Sequence, residues 1–400
     1  MSNPLAEQFS HPIIAAIAPF QAEYVAIRHD LHAHPELGFE EIRTAGVVAD
    51  ALARFGVDEV HRGIGGTGVV GVIRGSGPPG NGAVGLRADL DALPIDEEAQ
   101  LPYRSTVPGK MHGCGHDGHT VMLLAAARYL AQTRRFSGTV YLYFQPGEEG
   151  HAGARAMIGD GLFERFPADA VYALHNWPSL PAGTVGLNRG PMMAGIDRFS
   201  LRIFGRGGHG GHPQHTIDPI TAAAQIVMGI QSIVPRNLSP FDSGVIGLHH
   251  IEAGTKTALS IVPDSLSISG MVKWYRREVQ EVLERRLRRV CENGAASFEA
   301  RVELSYEPLY PPTINSADEA MRVEGVAGAI LGEERVVADL EPSMGSEDFS
   351  FMLQQRPGAY FRVGTGNPTP LHNPSYDFND EIIPVGAAVF AGIVEEQLRP

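Results

Sequence analysis

His112-Gly113-Cys114-Gly115-His116-Asp117-Gly118-His119 places three histidines, a cysteine and an aspartate within eight residues, with glycines between them. Imidazole and thiolate are good ligands for borderline-soft metals such as zinc. The glycines let the backbone turn tightly enough for neighbouring side chains to converge on one point. The apolar run Val121 to Leu130 follows at once and reads as a helix. Its start would lie beside the cluster, where the helix dipole lowers a thiol's pKa. A single histidine here would need no more than a capping role. Cys and His alternating through glycine call for a metal.

Working outward, Val69 to Arg74 and Ala83 to Asp89 read as buried strands separated by the Gly/Pro loop 75–82. The second strand runs into Arg87-Ala88-Asp89-Leu90-Asp91-Ala92-Leu93-Pro94, with two acids at a strand end. Strand Thr139 to Phe144 leads into Gln145-Pro146-Gly147-Glu148-Glu149-Gly150. Adjacent carboxylates in a tight turn repel each other, and a bound cation relieves that repulsion. Strand 170–174 ends in His175-Asn176. Intervening helices suggest a parallel sheet, whose carboxyl edge would collect these groups. Upstream, helices are expected at 20–33 and about 40–55, the second stopping at Gly56.

From about residue 188 the texture changes. A half-exposed strand at 199–204 precedes the loop Gly205-Arg206-Gly207-Gly208-His209-Gly210-Gly211-His212-Pro213. Helix 217–234, strands 243–251 and 264–273, the arginine-rich helix 276–292 and strand 299–305 complete a β-α-β-β-α-β order, which resembles a ferredoxin-like unit. Helices 317–331 and 347–354, strand 359–363, Leu371-His372-Asn373-Pro374 and a last helix from about 380 restore the α/β texture. The expected organisation is one domain of 1–187 and 312–400, interrupted by an inserted domain of 188–311.

Composition limits the partners. The chain has 400 residues, 43% of them hydrophobic and 20% charged, as in soluble globular proteins. A net charge of −14 argues against nucleic acid and anionic membranes. Cys114 and Cys291 are the only cysteines, so no disulfide framework is expected and a reducing cytosol fits. Met1 to Pro19 lacks the pattern of a signal peptide, and no apolar run is long enough to span a bilayer.

Cys114, His116, Glu148, Glu149, His175 and His372 together call for metal-assisted hydrolysis. Five ligands and one spare carboxylate suit a dinuclear centre with a general base. In these residues the chain resembles the hippurate hydrolase and N-acyl-amino-acid amidohydrolase branch of the dinuclear-metal aminoacylase and carboxypeptidase superfamily, which includes auxin-conjugate hydrolases. The matching stretches also include His34-Pro35-Glu36, Gly207-Gly208-His209 and Gly345-Ser346-Glu347-Asp348-Phe349, all in family order.

The resemblance implies an α/β, phosphorylase/hydrolase-like catalytic domain with an inserted ferredoxin-like α+β lid and dimerisation domain. It implies two divalent ions, zinc first, with manganese or cobalt as alternatives. Cys114, His116, Glu149, His175 and His372 would be the ligands, Glu148 the general base and acid, and Asp89 an acid orienting a ligand. His209 would stabilise the oxyanion, in relatives often from the partner subunit of a homodimer. Relatives usually carry Asn at the position of Ser260 and Arg at that of Lys273, where they grip the substrate's carboxylate end. An aminopeptidase or dipeptidase is the second reading, and a non-catalytic metal-binding protein the third. A structural site has no use for Glu148, which weighs against the last.

Overall fold

The computed structural model describes residues 3–400 apart from Pro79 and Asn81, so part of the expected loop 75–82 lies outside the described residues. The chain separates into two compact units. One comprises Met1–Met192, Thr313–Pro342 and Asp348–Pro400, the other Met193–Pro312 with Ser343–Glu347.

The first unit is built on one sheet. Its strands are β1 (Glu59–Ile64), β2 (Gly68–Arg74), β3 (Ala83–Asp89), β4 (Thr139–Gln145), β5 (Ala170–Trp177) and β6 (Val185–Gly186). The inserted unit supplies β7 (Gly195–Phe204), β8 (Gly244–Ala253), β9 (Ser265–Trp274) and β10 (Arg301–Tyr310). The chain then returns with β11 (Val336–Val337) and β12 (Gly358–Gly364) to complete the first sheet, in the order β1-β2-β4-β3-β5-β12-β6-β11. The sheet is mixed rather than parallel throughout. β1 and β2 form an antiparallel hairpin, and β2 runs antiparallel to β4. The four strands that matter for the site, β4, β3, β5 and β12, are mutually parallel. β3 and β12 are buried along their whole lengths, as expected of parallel strands covered on both faces.

The covering helices are α1 (Gln21–Ala33), α2 (Ile42–Phe55), α3 (His116–Thr133), α6 (Ala317–Leu331) and α7 (Ile383–Gln397); α4 (Pro219–Gln231) and α5 (Arg277–Ala296) belong to the inserted unit. Glu36 caps α2 by accepting from the N–H groups of Arg43 (3.1 Å) and Thr44 (2.8 Å), which gives the His34-Pro35-Glu36 stretch a local purpose. α2 ends at Gly56, whose φ of 83° is the left-handed conformation that glycine adopts without strain. α3 begins at His116, not after the histidine cluster. Its first residues are poor helix formers, but all of His116 to Ala127 are buried, and packing overrides propensity.

The inserted unit is a four-stranded antiparallel sheet in the order β8-β9-β7-β10. β9 alternates half-buried and buried residues, and its inner face packs with α4 and α5 around Ile203, Ile226, Ile268, Leu283 and Leu287. The order and connections are those of a ferredoxin-like fold.

Candidate metal centre

The chemistry-bearing residues of the first unit follow the carboxyl ends of the parallel strands. Asp89 ends β3, Glu148 and Glu149 follow β4, His175 lies in β5, Cys114 stands two residues before α3 and His116 opens it. His372 follows β12, and its backbone N–H donates to Gly113 O at 2.8 Å, which ties the C-terminal loop to the cysteine loop. Gly115 has a φ of 85°, and a Cβ there would lie 2.4 Å from Asn176 Nδ2, so only glycine fits between the two ligands. His372 itself has a φ of 61°, uncommon outside glycine and seen where packing over-determines a functional residue.

Ligand atoms of Cys114, His116 and His175 lie within 4.8 Å of one another, as do those of Cys114, Glu149 and His372, and those of His116, Glu148 and Glu149. The groups share Cys114, His116 and Glu149, so the six side chains form one cluster. Cys114 Sγ is 3.5 Å from His175 Nε2, and His372 Nε2 is 3.2 Å from Glu149 Oε1. The sequence-predicted ligands and Glu148 are thus brought together. His209, Ser260 and Lys273 belong to the inserted unit.

Hydrogen bonds fix which atoms face the centre. His116 Nδ1 donates to the backbone O of Asp91 at 2.9 Å and lies 3.3 Å from Asp91 Oδ1. His175 Nδ1 donates to Asn176 O at 2.7 Å. Both rings therefore aim Nε2 at the cluster, the nitrogen that can bind a metal when the ring is neutral. Asp91 Oδ2 also accepts from Glu149 N–H at 2.9 Å, so one acid positions two ligands. The sequence reading gave a ligand-orienting role to Asp89, and the structure adds Asp91 beside it. Asp89 accepts from His119 Nδ1 at 2.7 Å and from Arg87 Nη1 at 2.8 Å, and its Oδ2 lies 3.7 Å from His116 Nε2. Both acids were visible at the strand end. The course of the chain after Asp89 brings Asp91 to the Nδ1 side of His116 while Asp89 faces its Nε2 side.

His119 is fully engaged, because its Nε2 accepts from Asn176 N–H at 2.9 Å. Asn176 Nδ2 in turn donates to Cys114 O at 2.6 Å, so Asp89, His119 and Asn176 support the cysteine from behind.

The donor set fits divalent metal. Among the described residues His116 Nε2 is buried with no hydrogen bond, and buried Glu149 Oε1 has none beyond the ion-pair approach of His372, an expensive arrangement unless a cation occupies the gap. Without the ion, burial and then Glu149 push the Cys114 thiol well above its ordinary value. That is opposite to the lowering expected from the helix start, because the thiol is wholly buried beside a carboxylate. A bound cation reverses this balance and holds the thiolate. Burial, reinforced by His119, keeps His175 neutral by lowering its pKa far below the usual value, as a ligand requires.

In the inserted unit His209 is exposed in the two-residue strand Gly208–His209, which pairs with Ile261–Val262. Gly210 N–H donates to Ser260 O at 2.7 Å, so Ser260 anchors the histidine loop through its backbone. Lys273 is half-buried and donates to Ser346 Oγ at 2.8 Å. Burial lowers its pKa, and among the described residues no carboxylate lies within ion-pair distance of it.

The sequence profile of Peptidase family M20/M25/M40 matches residues 85–396. Hippurate hydrolase of Campylobacter jejuni is 40% identical over 389 residues, 97% of this chain and 100% of that protein. An Arabidopsis thaliana IAA-amino acid hydrolase is 38% identical over 384 residues, 94% of this chain and 85% of that protein. Among solved structures, a dinuclear metal binding peptidase of the M20 family from Bacillus subtilis superposes with a TM-score of 0.83 at 32% identity, covering 95% of this chain and 98% of that one.

Proposed function

The chain belongs to peptidase family M20/M25/M40, and from that premise we propose that it is a metal-dependent amidohydrolase, releasing a carboxylic acid and an amino acid from N-acyl amino acids. The reading is carried by one observation: five ligand-type side chains converge with a sixth, non-redundant carboxylate, Glu148, in one cluster that is buried except at His372 and Glu149. Relatives that hydrolyse hippurate and indole-acetyl amino acids support the substrate class.

Cys114, His116, Glu149, His175 and His372 would hold two divalent ions. When bound, the ions activate a water and polarise the amide carbonyl. Zinc suits the Cys/His/Glu set best, and manganese or cobalt can substitute. Glu148 takes the proton of the attacking water and passes it to the departing amine. His209 donates to the oxyanion, in a homodimer from the partner subunit. Asp91 and Asn176 hold the ligand rings and loops. The two buried, unpaired cysteines support a reducing, cytosolic location. Among the described residues no helix is long and apolar enough to cross a membrane.

Lys273 and Ser260 shape the carboxylate end. Lysine offers a point charge rather than the planar fork of arginine, and the Ser260 hydroxyl has less reach than an amide. Recognition of the carboxylate is therefore looser than in relatives. The test is kcat/KM of the metal-loaded protein on hippurate-type substrates, their carboxamides and free dipeptides. Preference for the N-acyl amino acids supports the reading, and preference for free dipeptides replaces it with a dipeptidase. Lys273→Arg with Ser260→Asn should sharpen the acid-over-amide preference by about 1–3 kcal/mol, the scale of a charge-assisted hydrogen bond.

A further inference from the structure

We propose that His209, His212 and His215 form a surface site for one additional divalent transition-metal ion of the zinc, nickel or copper type. The three histidines recur at every third position of the inserted unit's glycine loop, separated by Gly210-Gly211 and Pro213-Gln214. The backbone follows the same period. His212 N–H donates to His209 O at 2.8 Å, and His215 N–H donates to His212 O at 3.1 Å. Pro213–His215 is a 3₁₀ turn. In such a winding residues i and i+3 eclipse one another, which brings His215 beside His212, and the Gly210-Gly211 turn brings His209 to the other side of His212.

The three ligand atoms do not yet converge on one point, and coordination needs the exposed rings to turn toward a shared ion. The ring centroids of His209 and His212 are 5.1 Å apart, and those of His212 and His215 are 6.4 Å apart. His116 and His175, in the metal centre of the same protein, stand 5.9 Å apart. All three loop histidines are exposed, so their rings turn without disturbing a core. The side chains of His212 and His215 make no hydrogen bond among the described residues, and that of His209 has a single one, from Gly211 N–H to Nδ1 at 3.0 Å. Coordination gives up little that the loop already has. A purely imidazole, solvent-open set favours zinc, nickel and copper over magnesium or calcium.

An ion in this site removes His209 from its role as an oxyanion donor, so excess free metal inhibits turnover. That consequence rests on the proposed function, whereas the site does not. The experiment starts from enzyme loaded with its core ions and desalted. It is dialysed against graded Zn²⁺, and bound zinc is counted per chain. Wild type should take up one ion beyond the core complement. His212→Ala/His215→Ala, which leaves one of three ligands, should take up none while keeping the core ions. Equal uptake by the two proteins, or no extra uptake by wild type, overturns the site. Turnover is followed in the same samples. Loss of zinc inhibition together with the extra ion supports both statements. Inhibition that persists after the ion is lost leaves the site standing and overturns its link to His209.

Discussion

In the unit that carries the metal centre, His116, His119 and His175 are buried, and each has a ring nitrogen held by Asp91, Asp89 or Asn176. In the inserted unit, His209, His212 and His215 are exposed on a glycine loop, and only His209 has a side-chain hydrogen bond. The same residue type is thus prepared for two kinds of work. Buried rings arrive with tautomer and direction fixed, and lose little entropy when an ion binds. Exposed rings keep their freedom and can meet a ligand that comes and goes. Function that depends on the first group should be sensitive to the supporting acids, and function that depends on the second to the ring alone.

The largest effect is expected within the buried cluster. Glu148→Gln should lower kcat by about 10²–10⁴-fold, the usual contribution of a general base, with metal content near normal. Glu149→Gln should lose metal instead. If elemental analysis and turnover fall together in both variants, the division of labour between the two glutamates collapses. Next comes the exposed group. His209→Ala should lower kcat about 100-fold with no change in core metal content. Mixing it with Glu148→Gln subunits should restore activity if the histidine works across a dimer.

A smaller change tests the supporting acids. Asp91→Ala should weaken core metal binding by about 10–100-fold, read as faster loss of metal to a chelator. An unchanged rate of loss would mean that the buried rings need no second contact.

The smallest effect concerns pH. Burial would lower the pKa of His32, but hydrogen bonds to Asp117 and Glu97 outweigh it and hold the ring at about 9, above the ordinary 6.5. A raised pKa means that the charged ring contributes stability in full below pH 6.5, and that this is lost as pH rises through about 9. The denaturation midpoint should fall across that window. His32→Gln should start lower and lack that part of the fall.

Much of the centre could be read from spacing, because ligand residues sit in short glycine-bounded stretches that keep their identity in sequence. Helix α6 was equally plain, since its apolar period runs unbroken from Ala317 to Leu331. Other features were hidden by tertiary effects. β1 is a half-exposed strand, Glu-Val-His-Arg-Gly-Ile, whose polarity gives no strand signal until it pairs with β2. The mixed sheet was missed for the same reason, since the hairpin direction depends on the turn at Gly65 and Gly66. The start of α3 was misplaced because His-Asp-Gly-His has poor helix propensity and is helical only when buried. The hydrogen bond from His116 to Asp91 depends on where the chain leaves β3.

The interruption of one unit by another also sets an order of assembly during synthesis. Apart from Ser343–Glu347, the inserted unit is a continuous run, Met193–Pro312, and is complete while its host still lacks β12, His372 and α7. Chains fold as domains, N-terminal parts first, as they are made. The host cannot finish its sheet, or close the loop that joins His372 to Gly113, until β12 and His372 have left the ribosome. Completion of the candidate metal centre therefore follows that of the insert, and a chain truncated between residues 347 and 372 would carry a finished insert on an unfinished host.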